Sequence, residues 1–349
     1  MRLEEFDYPL PKELIAQVPL EKRDESKLMV VNRGSDEIDV KRFFDITDHI
    51  NEGDLLVVND TKVFPARIFG EKSTGGRVEL LLIKKLTDRS NGAQVFSSLS
   101  KSSKPLKPGQ KLFFDNDLTG EVTSLLGEGK IEIAFRADRD IFNILDEIGV
   151  MPLPPYIKRD GIKNAGVDKE TYQTVYAENV GAIAAPTAGF HFTDGLIDKL
   201  TERGVKIAKV TLHVGLGTFL PVRAENILDH DMHEEFFSVS DDCMNKIAAA
   251  KAAGNRVIAV GTTSMRSLES AYGADGTLEK REGETKLFIY PGYKFKVVDA
   301  MITNFHLPKS TLLMLVYAFG GTDLIKRAYK RAVDESFRFF SYGDSMFIS

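Results

Sequence analysis

Between Pro65 and about Gly149 the chain changes texture, and that change constrains its fold more than any other feature. The runs ARIFGEK, RVELLLIKKL, AQVFSSLS, QKLFFD, TGEVTSLL and KIEIAFR follow one another there. Each is rich in β-branched or aromatic residues, which suit a pleated, half-buried surface. Turn formers punctuate them: Gly75-Gly76, Asn91-Gly92, Pro108-Gly109 and Gly127-Glu128-Gly129. Evenly spaced short strands with such turns predict a small β-barrel. DIFNILDEIG then predicts a helix closed by Gly149, and MPLPPYIKR a proline-stiffened connector.

On either side the pattern is different. KLMVVNR and DLLVVND read as short buried strands ended by turn formers. From about Gly161 strands and helices alternate. Thr193 is placed to cap DGLIDKLTERG and Gly204 to end it; the strand VKIAKVTLHVG follows. DDCMNKIAAAKAAG predicts a helix, NRVIAVG a strand and SMRSLESAYG a helix. KFKVVDAMITNF predicts a long strand, and STLLMLVYAFGG a helix apolar on every side, hence buried. Alternation of this kind requires a sheet with several parallel strands. The expected fold is an α/β (α+β) body with a mixed sheet, residues 1–64 and 150–349, interrupted by a β-barrel at 65–149.

A chain of 349 residues is long enough for a large core. Its single cysteine, Cys243, excludes an intrachain disulfide framework and fits a reducing cytoplasm; its place in a helical pattern predicts a core position. The charged N-terminus lacks a signal-peptide core, and no apolar run is long enough to span a membrane. A formal charge of −5 means that any nucleic acid must be held by a local basic surface. The best such surface is SKSSKPLKPGQK, where Lys101, Lys104, Lys107 and Lys111 could contact phosphates from barrel loops, with a solubilising loop as the equal alternative.

Ligands of open α/β sheets gather where strands end and helices begin. Three such junctions are rich in hydroxyls. APTAGFHFT carries Thr187, Gly189, His191 and Thr193. AVGTTSMRS puts Thr262 and Thr263 at a helix start, with Arg266 one turn in, and ITNFHLPKST crowds Asn304, His306, Lys309 and Ser310 before the buried helix. Any one junction is explained as capping, but three together point to a site. VTLHVGLGTF has Gly215 and Gly217 after a strand, yet no helix or ribose-gripping acid follows, so a dinucleotide-type loop is not supported. HLPKST has Lys-Ser without the glycines of a phosphate loop, and His49 reads as a surface residue. The densest cluster of metal-ligand types is DHDMHEE, Asp229 to Glu235. His230 and His233 would share a face on a helix, but a spaced third ligand is missing, so no metal is assigned and acid–base chemistry is favoured.

Taken in order, DLLVVNDTKVFPARIFG, MPLPPYIKR, YQTVYAENVGAIAAPTAGFHFT, VTLHVGLGTFLPV, HDMHEEFF, VIAVGTTSMRSLES, FIYPGYKFKVVDAMITNFHLPKSTLLMLV and FRFFSYGDSMFI resemble the S-adenosylmethionine:tRNA ribosyltransferase-isomerase family over nearly the whole chain. Phe190, Leu216 and Phe236 depart from the leucine, alanine and tryptophan usual there, each apolar for apolar. The resemblance implies an inserted six-stranded barrel. It also implies transfer and isomerisation of the ribosyl group of S-adenosylmethionine onto 7-aminomethyl-7-deazaguanine at the tRNA wobble position. Adenine and methionine leave and epoxyqueuosine results, with adenosylmethionine consumed as donor and no bound cofactor. A base must remove a C5′ hydrogen beside the sulfonium, and departing adenine needs a proton or hydrogen bonds. On that chemistry His191 and His213 are candidates for base and acid, assisted by His233 or Glu234. Thr187, Thr262, Thr263 and Arg266 are candidates for ribose and the methionine carboxylate. Tyr290 and Tyr293 would stack on a base or face the sulfonium; Lys309 and Ser310 would take a phosphate or the carboxylate. Gly189, Thr193, Gly215, Gly217, Asn304 and His306 complete the expected binding set. A monomer is expected. The residues alone also leave open a metal-dependent sugar or nucleotide hydrolase using Asp229–Glu235, and a non-catalytic RNA-binding module.

Overall fold

The computed structural model describes residues 1–90, 92–159, 165–215, 222, 224–273 and 276–349. Nine strands form one mixed sheet, in spatial order Glu282–Thr285, Glu235–Val239, Lys206–Leu212, Leu55–Asn59, Val257–Val260, Ala300–Asn304, Ser345–Ile348, Lys27–Asn32 and Glu37–Arg42. The four strands from Lys206–Leu212 to Ala300–Asn304 are parallel. Parallel neighbours need crossover connections, and the alternating helices supply them. The unbroken apolar run Leu55–Val58 reflects burial on both faces. Leu55 and Val57 pack with Cys243, Ile247 and Leu268, whereas Leu56 and Val58 pack with Phe192, Leu196 and Leu200. Asn59 ties this strand to its neighbour: its amide accepts from Leu212 N at 3.0 Å and donates to Leu212 O at 3.1 Å.

The predicted barrel is present, closed and six-stranded: Lys130–Arg136, Gln94–Ser102, Arg77–Asp88, Arg67–Lys72, Lys111–Phe114 and Thr119–Gly127, the last pairing back to the first. Closure removes the exposed edges that a short antiparallel sheet would otherwise leave. Ile68, Leu80, Phe96, Leu112, Val122 and Ile133 fill it. A Cβ at Gly70 would lie 2.5 Å from Phe113 O, so only glycine fits that close strand approach. Helix Ile141–Ile148, capped by Asp140, packs Phe142 on Phe64 and Phe96 beside the barrel. Arg67 and Val150 exchange backbone hydrogen bonds of 3.2 and 2.8 Å, so the chain leaves the body and rejoins it side by side.

Several sequence expectations need correction. KFKVVDAMITNF is a strand only at Ala300–Asn304. The amides of Lys296, Val297 and Val298 donate to the buried Glu269 carboxylate, which replaces a neighbouring strand as their partner. The edge strands Glu37–Arg42 and Glu282–Thr285 were not anticipated, because they are polar and mostly exposed. Among the described residues no helix is long and apolar enough to cross a membrane.

Candidate active site

The three hydroxyl-rich junctions meet. The carboxyl ends of Val257–Val260 and Ala300–Asn304, with Val214 beyond the strand Lys206–Leu212, open onto one cleft of about 590 Å³ counting its mouth. Thr187, Thr262, Thr263, Asn304 and His306 line it, and Tyr156 and Phe340 add aromatic surface. The helix Gly261–Ala271 starts directly from its strand because Gly261 takes φ +88, a conformation costly for a residue with a Cβ. Its first turn carries no side-chain cap, unlike helices capped by Thr193, Ser240 and Ser310.

A buried relay of polar groups fixes one wall. Asn304 Nδ2 donates to His191 Nε2 at 3.1 Å, which leaves Nδ1–H to donate to Ser26 Oγ at 2.7 Å. Thr187 Oγ1 donates to Asn304 Oδ1 at 3.1 Å. Burial, reinforced by the Arg338 and Arg23 charges, lowers the His191 pKa to about 3, so the ring is neutral near pH 7. Phe43 covers it at 4.9 Å between ring centroids. His191 therefore holds the Asn304 amide in place, with both ring nitrogens occupied. His306, on the cleft wall, is also lowered to about 3 by burial, and its Nε2 lies 2.8 Å from Thr303 Oγ1.

A second pocket of about 440 Å³ adjoins the cleft, with Leu312 common to both. Its floor is a buried ion pair, Arg266 Nη1 with Glu235 Oε2. Glu235 Oε1 accepts from Gly215 N at 3.0 Å, and Arg266 Nε donates to Leu287 O at 3.1 Å. Arg266 Nη2 and Thr263 Oγ1 are buried with no hydrogen-bond partner among the described residues. Glu235 was missed as an individual residue, although the strand period could have found it. In EEFFSV the alternation puts Glu235, Phe237 and Val239 inward and leaves Glu234 exposed.

Other expected residues lie elsewhere. Glu234 faces Lys286 at 3.7 Å on the surface. His213 turns into a separate groove, its Nδ1 2.8 Å from Thr61 Oγ1 and its ring stacked on Phe236; burial lowers its pKa. Tyr293 donates to Glu269 Oε2 at 3.2 Å, and Tyr290 packs on Phe288. Lys309 pairs with Asp7 at 2.7 Å. Ser310 and Thr193 cap helices, accepting from Leu313 N and Leu196 N at 3.2 Å each. Gly189 is a packing requirement, since a Cβ there would sit 2.1 Å from Tyr176 Oη. Gly217 and Leu216 lie outside the described residues. Lys101, Lys104, Lys107 and Lys111 are exposed, the first and last on barrel strands and not in loops. His233 lines the second pocket with His230, but residues 230–234 are not helical, so the two share no helix face. Among the described residues no three His, Cys, Asp or Glu groups are gathered to hold a metal.

A family model described as queuosine biosynthesis protein matches residues 3–348. Proteins named S-adenosylmethionine:tRNA ribosyltransferase-isomerase from Halothermothrix orenii and Clostridioides difficile are each 51% identical, over 350 and 351 residues, covering both chains completely. The crystal structure of S-adenosylmethionine tRNA ribosyltransferase from Thermotoga maritima is 36% identical, with a TM-score of 0.56 over 99% of this chain and 100% of that one. With a barrel-bearing α/β fold, a cleft at the carboxyl ends of its parallel strands and an end-to-end match of this kind, the chain belongs to the queuosine biosynthesis protein family.

Proposed function

We propose that this enzyme transfers and isomerises the ribosyl group of S-adenosylmethionine onto 7-aminomethyl-7-deazaguanine in the tRNA anticodon, releasing adenine and methionine and forming epoxyqueuosine. The observation that carries this reading is the full-length agreement with relatives named for ribosyl transfer and isomerisation. Adenosylmethionine is consumed as the donor, and the protein acts as a cytoplasmic monomer. The cleft suits that donor: threonine hydroxyls meet hydroxyls and ring nitrogens, while Ala184, Ala188 and Phe340 exclude water. Asn304 Oδ1 and Thr187 Oγ1 give adenine or ribose a fixed pair of acceptors, and His191 is the positioning residue of the Asn304 amide. The hydrolase alternative loses its basis, since Asp231 and Glu234 turn to Lys286 on the surface.

The direct test is to mix the protein, adenosylmethionine and a precursor-bearing anticodon stem-loop, and to assay free adenine. Stoichiometric adenine is expected. Adenosylhomocysteine in its place would mean ordinary methylation, and neither product from folded protein and intact substrate would sink the reading.

Lys101, Lys104, Lys107 and Lys111 form the tRNA-phosphate contacts of the barrel in this reading. Replacing all four with alanine should weaken stem-loop binding and reduce the slope of log affinity against log salt by roughly 3. An unchanged slope would remove the barrel lysines from the interface.

A further inference from the structure

We propose that Arg266 Nη2 and Thr263 Oγ1 grip the carboxylate of the donor's amino-acid end, so that adenosylmethionine spans both pockets. Its adenosyl part lies in the cleft of Thr187, Asn304 and His306, and its methionine part in the adjoining pocket. This rests on the reading that adenosylmethionine is the donor, and it adds which atoms hold which end.

The argument starts from two polar groups without partners. Arg266 is 4% exposed and Thr263 8% exposed, and neither Nη2 nor Thr263 Oγ1 has a partner among the described residues. A buried donor left unpaired is costly, and a native site that keeps one at each of two cavities, Thr263 at the cleft and Arg266 at the second pocket, is shaped for an acceptor from outside. The rest of Arg266 is already committed: Nη1 to Glu235 and Nε to Leu287 O. Glu235 thus acts as a positioning residue, holding the guanidinium flat so that its remaining edge is presented. The serine hydroxyls beside them are occupied, Ser264 Oγ donating to Val260 O at 2.7 Å and Ser267 Oγ to Thr263 O at 3.0 Å.

Position on the helix selects the charge of the ligand. Residues 263 and 266 are three apart on Gly261–Ala271, hence on one face, in its first turn and a half. The free amides and dipole of that end favour an anion. A carboxylate, with two acceptor oxygens, satisfies both the guanidinium edge and the hydroxyl. The pocket wall selects what trails the carboxylate. Leu287, Phe288, Leu312 and Leu315 give it an apolar side, which accepts the methylene chain of the amino-acid end better than a hydrated sugar-phosphate.

The test compares binding of adenosylmethionine with that of its decarboxylated analogue by calorimetric titration of the full chain. The wild type should bind the decarboxylated compound roughly 10- to 100-fold more weakly, as loss of charge-assisted hydrogen bonds demands. Thr263→Val should weaken adenosylmethionine by roughly 3- to 10-fold and leave the analogue unchanged. It should also retain the wild-type thermal midpoint, because the hydroxyl it removes has no partner to lose. Arg266→Met combined with Glu235→Gln, which strands no buried charge, should bind both compounds equally. Equal binding of the two compounds by the wild type, or undiminished discrimination by Thr263→Val, would overturn the carboxylate site while leaving the ribosyl-transfer reading intact. No binding of adenosylmethionine by the folded wild type would overturn both. Loss of stem-loop binding alone in the double variant would assign the site to an RNA phosphate instead, and would overturn the proposal.

Discussion

Glu235→Ala should cost about 3–5 kcal/mol of stability and abolish adenine release, the largest effect expected from any single side chain here. Glu235 and Arg266 are both buried, and Glu235 also takes the Gly215 amide. Truncation leaves a buried guanidinium with two unpaired edges and a backbone donor without its acceptor. The stability loss is therefore mostly the penalty of the stranded charge and not the net value of the pair. Replacing both partners with methionine should restore most of the stability, because apolar groups of similar volume need no desolvated partner. That double variant should still release no adenine. Urea unfolding of the two variants beside the wild type checks the first half, and the adenine assay the second. A Glu235→Ala protein within about 1 kcal/mol of wild type would mean that the pair is hydrated and that the second pocket is open to water.

Acid should destabilise the protein well before its carboxylates titrate. His191 and His306 have pKa values lowered from 6.5 to about 3 by burial. The folded state keeps both neutral, whereas the unfolded chain protonates them near pH 6.5. Their contribution is complete above about pH 6.5 and declines as pH falls toward 3, where the folded rings also take up protons. With about 1.4 kcal/mol per pH unit for each fully shifted group, the loss is on the order of 3 kcal/mol per histidine by pH 4.5. Burial also lowers His49, His213 and His230, which act in the same direction. Urea unfolding at pH 7.0, 5.5 and 4.5 should show this decline, and His191→Gln should make it shallower. An unaltered pH slope in the variant would show that folding does not lower the His191 pKa, and that the ring is able to act as an acid. Its present surroundings, Asn304 on one nitrogen and Ser26 on the other, favour the positioning role.

Much of the architecture was legible in the residues because it depends on local period and turn chemistry. The six strand runs and their glycine turns produce a closed barrel, and the buried runs at Leu55–Asn59 and Val257–Val260 produce parallel central strands. Thr193, Ser240 and Ser310 act on the helix that directly follows each of them. The junctions were legible as well, since Thr187, Thr262, Thr263, Asn304 and His306 follow strands or precede helices whatever the tertiary fold.

Partnership was decided only by the tertiary structure. Arg266 and Glu235 are 31 residues apart, and His191 and Asn304 are 113 apart. No local pattern specifies that such side chains meet. The sequence by itself determined where histidines, carboxylates and hydroxyls fall along the chain. Sheet order and burial determined which are dry, which are already paired, and which are buried without a hydrogen-bond partner among the described residues. Desolvation and hydrogen bonding depend on neighbours distant in the chain, and these two effects leave His191 dry with both ring nitrogens bonded and distinguish Glu235 from Glu234.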